Sequence, residues 1–360
     1  MEKLKSIWQI DEKILPEIRK LYDDNEKIYS DNLKLTDDGG KRLLVSYSEQ
    51  LKTLYDKYLQ ILSEFSLLDD MSCSIKDYNY IVKDIRKYKN KILNLFDNYS
   101  KGKFAEAAKI EKTLFFPSAN ASSASSMFPH ATIMPETYWF RSRRLEFNRR
   151  FGNKDLFHVP FEKRGKIGAS RYSIPGYPCL YLGATINCAV EETGNDVISA
   201  VSCFKNMREL DSYDFRFFSP NANDDMVYLN KALVTYPFKI AASIPVGTYK
   251  YKEQWVYKEE YVIPQLLLHC ALRKNGPDKP QCIMYTSTKA IVDSSITPSD
   301  FPLHDNIVVP TLYSRGEGIC GYLNAMFTMT SPEIVPSGYM TDNEIKEMEV
   351  TMKKNQFNKV

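Results

Sequence analysis

The sequence predicts an α+β fold, an N-terminal helical bundle or hairpin followed by a mixed domain of short strands and helices. Three observations carry that prediction. Apolar residues recur at steps of three or four as far as about residue 115, while aromatic and β-branched runs of strand length take over from Tyr138. Between them, over residues 117 to 135, small residues and prolines replace the charged helical pattern. A period near 3.6 marks an amphipathic helix and a short apolar or alternating run marks a strand. Short strands interleaved with helices and long loops are the pattern of an α+β chain.

The helical stripes come in order. Ile7, Ile10, Ile14, Ile18 and Leu21 form the first, and Asp37-Asp38-Gly39-Gly40 breaks the chain after it. Leu44, Tyr47, Leu51, Leu54, Tyr58, Ile61 and Phe65 form the second. Tyr78, Ile81, Val82, Ile85, Tyr88, Ile92 and Leu95 form the third, with Ser74 and Asp77 resembling a capping box at its start. Residues 1–115 therefore read as a helical region, either a packing or dimerisation platform or a sensor that controls a downstream site. Residues 116–135 read as a linker, or as an ordered loop anchored by Met127 and Phe128.

The second domain spans residues 136–330. Tyr138 to Arg144 opens it, and the run Phe157 to Phe161 follows. Pro175-Gly176 is a turn signal, and Pro178 to Ala184 is an apolar run of strand length. Thr185 or Asn187 caps a helix that carries Glu191 and Glu192. Ile198 to Phe204 and Gly247 to Tyr257 read as strands, as do Gln281 to Ser287 and Asn306 to Leu312. Pro264 sits in the first turn of a helix with Leu266, Leu267, Leu268, Cys270 and Leu272. Residues 331–360 read as a polar tail with an exposed helix over Asn343 to Lys353 and a frayed end.

Composition excludes several function classes. The 360 residues carry 48 basic and 45 acidic side chains, a net of +3, which gives no case for nucleic acid as the main partner. The cysteines at 73, 179, 188, 203, 270, 282 and 320 form no C-x-x-C pair, and His130, His158, His269 and His304 are isolated in sequence. No metal site and no disulfide framework follow, and a reduced cytoplasmic setting fits best. The N-terminal stretch has no apolar core of signal-peptide length. The most apolar run, Tyr261 to Leu272, contains Pro, Gln and His and falls short of the ~20 residues that a membrane span needs. No P-loop and no G-x-G-x-x-G are present, so a nucleotide would be held by side chains and loops.

Several residue types suit a phosphate-bearing, sugar-bearing ligand. Arg141 and Arg143 share one face of a strand, and guanidinium forks match phosphate oxygens; a solvated charge run with Arg144 explains them equally. Arg171 stands before the Pro-Gly turn with no acid near it in sequence. Tyr172 and Tyr181 suit stacking on a ring or packing in a core. Glu191 and Glu192 are adjacent helical acids, so only one can face a site; alone, they also fit as complements to the helix dipole. Ser287 ends a strand, where its hydroxyl can hold a ligand or face water.

Taken together, Arg171-Tyr172, the following Pro-Gly, Leu180-Tyr181-Leu182, Ala189 and Glu192 resemble the RES domain family, over roughly residues 136 to 330. Ser170 stands where that family has Gly, and Ser173 where it has Asn two residues after the Arg. Arg141, after Trp139-Phe140, matches a further family Arg with Arg143 the near alternative, and Cys282 to Ser287 matches a late strand ending in Ser. The resemblance implies a fold similar to ADP-ribosyltransferases, NAD as substrate with no cofactor, and a toxin paired with an antitoxin. It implies that Arg141 and Arg171 hold phosphates, Tyr181 stacks, Glu192 stabilises a ribosyl cation and Ser287 orients the ligand. Water or inorganic phosphate is then the acceptor. Two other readings remain open at this stage: transfer of ADP-ribose to a macromolecule, with Glu191 helping the acceptor, and a non-catalytic nucleotide-binding module. The helical region would contact an antitoxin or a second copy of the chain.

Overall fold

The computed structural model describes residues 2–4, 6–34, 43–66, 75–115, 128–145, 150–194, 198–220, 226–273, 280–312, 316–336 and 340–360. The Asp-Gly break at 37–40, the capping residue Ser74 and Met127 lie outside the described residues, as does most of the linker stretch. In chain order the elements are β1 (Glu2–Lys3), α1 (Trp8–Lys34), α2 (Tyr47–Glu64), β2 (Phe65–Ser66), α3 (Ile75–Ser100) and α4 (Phe104–Phe115). There follow β3 (His130–Ile133), β4 (Tyr138–Arg144), α5 (Asn153–Leu156), β5 (Cys179–Gly183), α6 (Ile186–Thr193), β6 (Ile198–Asn206) and β7 (Leu210–Phe215). The chain continues with α7 (Met226–Ser243), α8 (Thr248–Lys252), α9 (Val262–Arg273), β8 (Cys282–Thr286), α10 (Thr288–Val292) and β9 (Asp305–Pro310). It closes with α11 (Gly321–Met326), β10 (Phe327–Met329), β11 (Glu333–Pro336) and α12 (Asp342–Lys354). The class is α+β: a helical N-terminal region, then a mixed, mostly antiparallel sheet with helices.

Packing divides the chain into two compact units, and it does not follow chain order. One unit is Met1–Pro129 with Phe217–Cys270 and Ile291–Pro298; the other is His130–Arg216 with Ala271–Ala290 and Ser299–Val360. Chain order is broken because α7 is largely apolar and packs against α2 and α3.

Within the first unit, proline chemistry explains how α2 seats on α7. Pro237 has no N–H, so the carbonyl of Leu233 loses its helical donor. Tyr58 Oη donates to that carbonyl at 2.7 Å, and its ring stacks on Tyr236. The carbonyl of Ala241 would look to residue 245, another proline; Tyr47 Oη donates to it at 2.8 Å. Ser46 and Glu49 form a capping box at the start of α2. Asp11 on α1 is fully buried, accepting from Lys239 Nζ and Tyr236 Oη at 2.6 Å each and from the Phe218 amide at 2.9 Å. Burial raises its carboxyl pKa, against the pull of Lys239.

In the second unit the sheet runs β10-β6-β4-β5-β9-β8-β7-β3, with β11 also on β6. The β7–β8 pair is parallel and the other pairs are antiparallel. Leu180, Leu182, Ile307 and Val309 face one core with Trp139 and Phe204; Phe140, Val201 and Cys203 face the other with α6 and α12. β4 pairs with β6 along its whole length but shares with β5 the pair Phe140–Gly183.

Two sequence expectations are corrected, at Gly247 to Tyr257 and at the C-terminal stretch. Gly247 to Tyr257 is not a strand: alternating Tyr249, Tyr251 and Tyr257 imitate a period of two, yet the backbone closes a helical turn with Glu253 N on Tyr249 O at 2.8 Å. Phe157 to Phe161 is irregular and leads into a 3₁₀ turn over Phe161–Lys166. The C-terminal stretch is neither a loose tail nor frayed. β11 joins the sheet, Ile345 and Met352 are buried, and Asn358 bridges Met329. At the described end of the linker stretch, Phe128 packs on Phe115 and Phe238, and β3 pairs with β7.

Removing the Asp11 carboxylate should leave the Lys239 ammonium buried without its counter-charge. Asp11→Ala is expected to cost about 3–5 kcal/mol, read as a lowered denaturation midpoint at unchanged m-value. Asp11→Ala with Lys239→Met should recover much of that loss, and a double variant as unstable as the single one would show that the pair is not the cause.

Candidate functional site

The site is built at one end of β5, β8 and β9. Thr185 caps α6, its Oγ1 accepting from the Cys188 amide at 3.1 Å. The helix can approach β5 because residue 183 is glycine: a Cβ there would lie 3.0 Å from the Ala189 nitrogen. That close seat carries the adjacent acids to different places. Glu192 Oε1 accepts from Ser287 Oγ at 2.8 Å and from Asn306 Nδ2 at 3.1 Å. Glu191 Oε2 lies 3.5 Å from His304 Nδ1, and Lys289 Nζ donates to the Glu191 carbonyl. Ser287 and Asn306 are buried, whereas Glu192 is exposed.

The Pro-Gly turn delivers the other residues. Tyr177 N bonds Ile174 O at 3.2 Å around Pro175-Gly176, with Gly176 at φ 81°, as a type II turn requires. Arg171 Nη2 donates to Thr288 Oγ1 at 3.2 Å. The Tyr172 ring sits 4.6 Å from that of Tyr285. Tyr181 Oη donates to Ser173 Oγ at 2.9 Å. Tyr285 is the hub: burial raises its hydroxyl pKa far above the usual range, and the charge of Glu192 adds to this while Arg171 opposes it.

Arg141 comes from the opposite face of the sheet. Alternation along β4 sets it with Trp139, away from Phe140 and α6. β4 and β5 part beside the Phe140–Gly183 pair, and Tyr181 and Cys179 both act on the Arg141 charge. Burial, then the charge of Arg143, lowers the Arg141 pKa to about 10, and its Nη1 is buried without a hydrogen-bond partner. Arg143 is occupied elsewhere, donating to the Asp155 carbonyl at 3.0 Å and lying over the Phe151 ring. The structure thus groups Arg171, Tyr172, Tyr181, Glu192 and Ser287, places Glu191 behind them, brings Arg141 to the margin and leaves Arg143 outside.

Sequence reasoning missed Ser173, Tyr285, Thr288 and Asn306. Asn306 had a signal: an amide opening an otherwise apolar strand must find a partner when buried. Ser173 was noted as a departure from the family pattern, and it proves to be the partner of Tyr181.

The chain is similar to a protein of Bacillus subtilis (strain 168) that bears the name "Putative toxin YopC", 26% identical over 272 residues. The match covers 70% of this chain and 56% of that protein, so the chain spans about half the length of the curated relative it matches. No family model matches the chain. No solved structure matches it. Among the described residues no helix is long and apolar enough to cross a membrane.

His158 lies behind Arg141, fully buried, with Nδ1 on the Val159 carbonyl at 2.8 Å and Nε2 accepting from the Cys320 amide at 2.7 Å. Burial lowers its pKa from 6.5 to about 4. A depressed folded pKa gives stability that is present above the unfolded value and lost as pH falls through the folded one, here between about 6.5 and 4. The amount is about 3 kcal/mol. Asp305, raised by burial to about 7, has the opposite sign and loses stability as pH rises from 3.8 to that value. Comparing His158→Gln with wild type isolates the histidine: the acid-side loss in urea midpoint should be smaller in the variant, and parallel curves would refute the assignment.

Proposed function

We propose that the chain binds NAD at this site and cleaves the nicotinamide–ribose bond, with water or inorganic phosphate as acceptor. The observation that carries the reading is Glu192: one carboxylate oxygen is fixed by Ser287 and Asn306, and the residue is open to solvent. Cleavage of an N-glycosidic bond passes through an oxocarbenium-like sugar. A carboxylate held beside the anomeric carbon stabilises that charge, because its orientation is set before the reaction begins. Nicotinamide departs as a neutral molecule and needs no strong acid. Arg171 and the unpaired face of Arg141 supply forks for the diphosphate. The tyrosines around Tyr285 supply flat surfaces for a ring.

The resemblance to the RES family supports the same chemistry from the same residues. A toxin role follows from the name of the Bacillus relative, and depletion of NAD is a direct way for such a protein to harm a cell. An antitoxin or a second copy would engage the helical region.

The test is turnover of NAD by the purified chain, with and without phosphate. Glu192→Gln should lower kcat by roughly 10²–10³-fold with NAD still shifting the melting temperature. Arg171→Ala should act mainly through KM. Labelled NAD should give free products; label retained on macromolecule would instead establish transfer. NAD that stabilises the protein but is never consumed would establish a binding module.

A further inference from the structure

Glu191 has a different partner from Glu192: it meets a histidine. Its Oε2 is 3.5 Å from His304 Nδ1, a buried nitrogen with no hydrogen bond of its own. The backbone on both sides of the histidine is tied to the site. The His304 carbonyl accepts from the Ser287 amide at 2.9 Å, and Ser287 is the residue that holds Glu192. The Leu303 carbonyl accepts from Thr185 Oγ1, the cap of α6, at 2.9 Å. The side chain is 15% exposed. A partly exposed histidine with a carboxylate beside one ring nitrogen has the parts of a general base.

We propose that His304, oriented by Glu191, takes the proton of the attacking water. This rests on the NAD-cleavage reading and adds to it a second acid–base group. The C1′–N bond breaks and its electron pair leaves with neutral nicotinamide. The water oxygen forms the new C1′–O bond, and its proton passes to His304 Nε2. Glu191 then faces the imidazolium at Nδ1 and stabilises it. No oxidant, reductant or metal enters the balance. The adjacent acids thereby divide the work: Glu192 is committed to Ser287 and Asn306 and attends the sugar, while Glu191 attends the base.

The experiment uses the full chain in phosphate-free buffer. His304→Ala should lower kcat for NAD hydrolysis by about 10²-fold with KM changed less than twofold, and Glu191→Gln by about tenfold. Azide is an anionic nucleophile with no proton to lose. In His304→Ala it should yield ADP-ribosyl azide at a rate near that of wild type, and imidazole should restore part of the hydrolysis. A merely structural histidine would give neither rescue. His304→Gln serves as the second variant if the alanine form does not fold. Hydrolysis at the wild-type rate in either variant, or a loss that azide and imidazole leave untouched, overturns the assignment while the NAD reading stands. A wild-type chain that leaves NAD intact here but consumes it once phosphate is added overturns the water-activation assignment alone; one that leaves NAD intact in both buffers overturns both.

Discussion

At the ends of β7, β8 and β9 three charges are buried together. Arg216 puts two nitrogens on Asp214 at 2.9 Å each and a third on Asp305 at 3.3 Å. Thr286 adds a hydroxyl to Asp305 at 3.4 Å, across the register pair that joins β8 to β9. Two acids share one guanidinium, so burial leaves Asp305 short of compensation and lifts its carboxyl to about 7. A cluster of this kind is weak support for stability, since well-packed apolar residues often do as well. It does supply direction. The third nitrogen ties the end of β7 to the start of β9, and the residue that follows each of Thr286 and Asp305 in the chain is one that holds Glu192. Ser287 follows Thr286, and Asn306 follows Asp305. The position of the candidate carboxylate therefore descends from charges that touch no ligand.

The first three helices were legible because each announces itself within its own turn: the stripes from Ile7, Leu44 and Tyr78 recur at intervals that the helix itself imposes. The strands at 179–183, 198–206, 282–286 and 305–310 were legible as apolar runs for the same local reason. Gly247 to Tyr257 was not, since aromatic residues at alternate positions satisfy a strand pattern while the hydrogen bonds close a helix. The partners of the site residues were not legible at all. Ser287 and Asn306 reach Glu192 across 95 and 114 residues, and Arg171 reaches Thr288 across 117. No periodicity links such positions, so a motif can name the acid but not what holds it. Which partners Glu191 and Glu192 each meet likewise depends on how α6 seats on β5 beside Gly183, which is a property of packing.

Arg141 and Arg143 show what alternation leaves undecided. Both sit on one face of β4, and the sequence treats them alike. The structure gives Arg143 a backbone carbonyl and a ring, ordinary partners for a guanidinium near a surface. It gives Arg141 burial, a like charge nearby and a nitrogen with nothing to donate to. Leaving a charged donor buried and unpaired is costly. An anionic group placed there would offset that cost, and the same placement beside Tyr181 would set a diphosphate next to the ring cluster. Of the two arginines, the one with a buried, unpartnered nitrogen is the better candidate for a ligand.

Ser173 completes the argument about departures from a family pattern. The resembling family has Asn there, a residue that both donates and accepts. Serine keeps the part that matters to Tyr181, an oxygen that receives the phenol proton at 2.9 Å. The bond fixes the tyrosine ring in the strand. Burial also raises the Tyr181 pKa well above its ordinary value, so the phenol stays neutral and cannot act as a base. The departure therefore leaves the Tyr181 hydroxyl with a partner inside the protein.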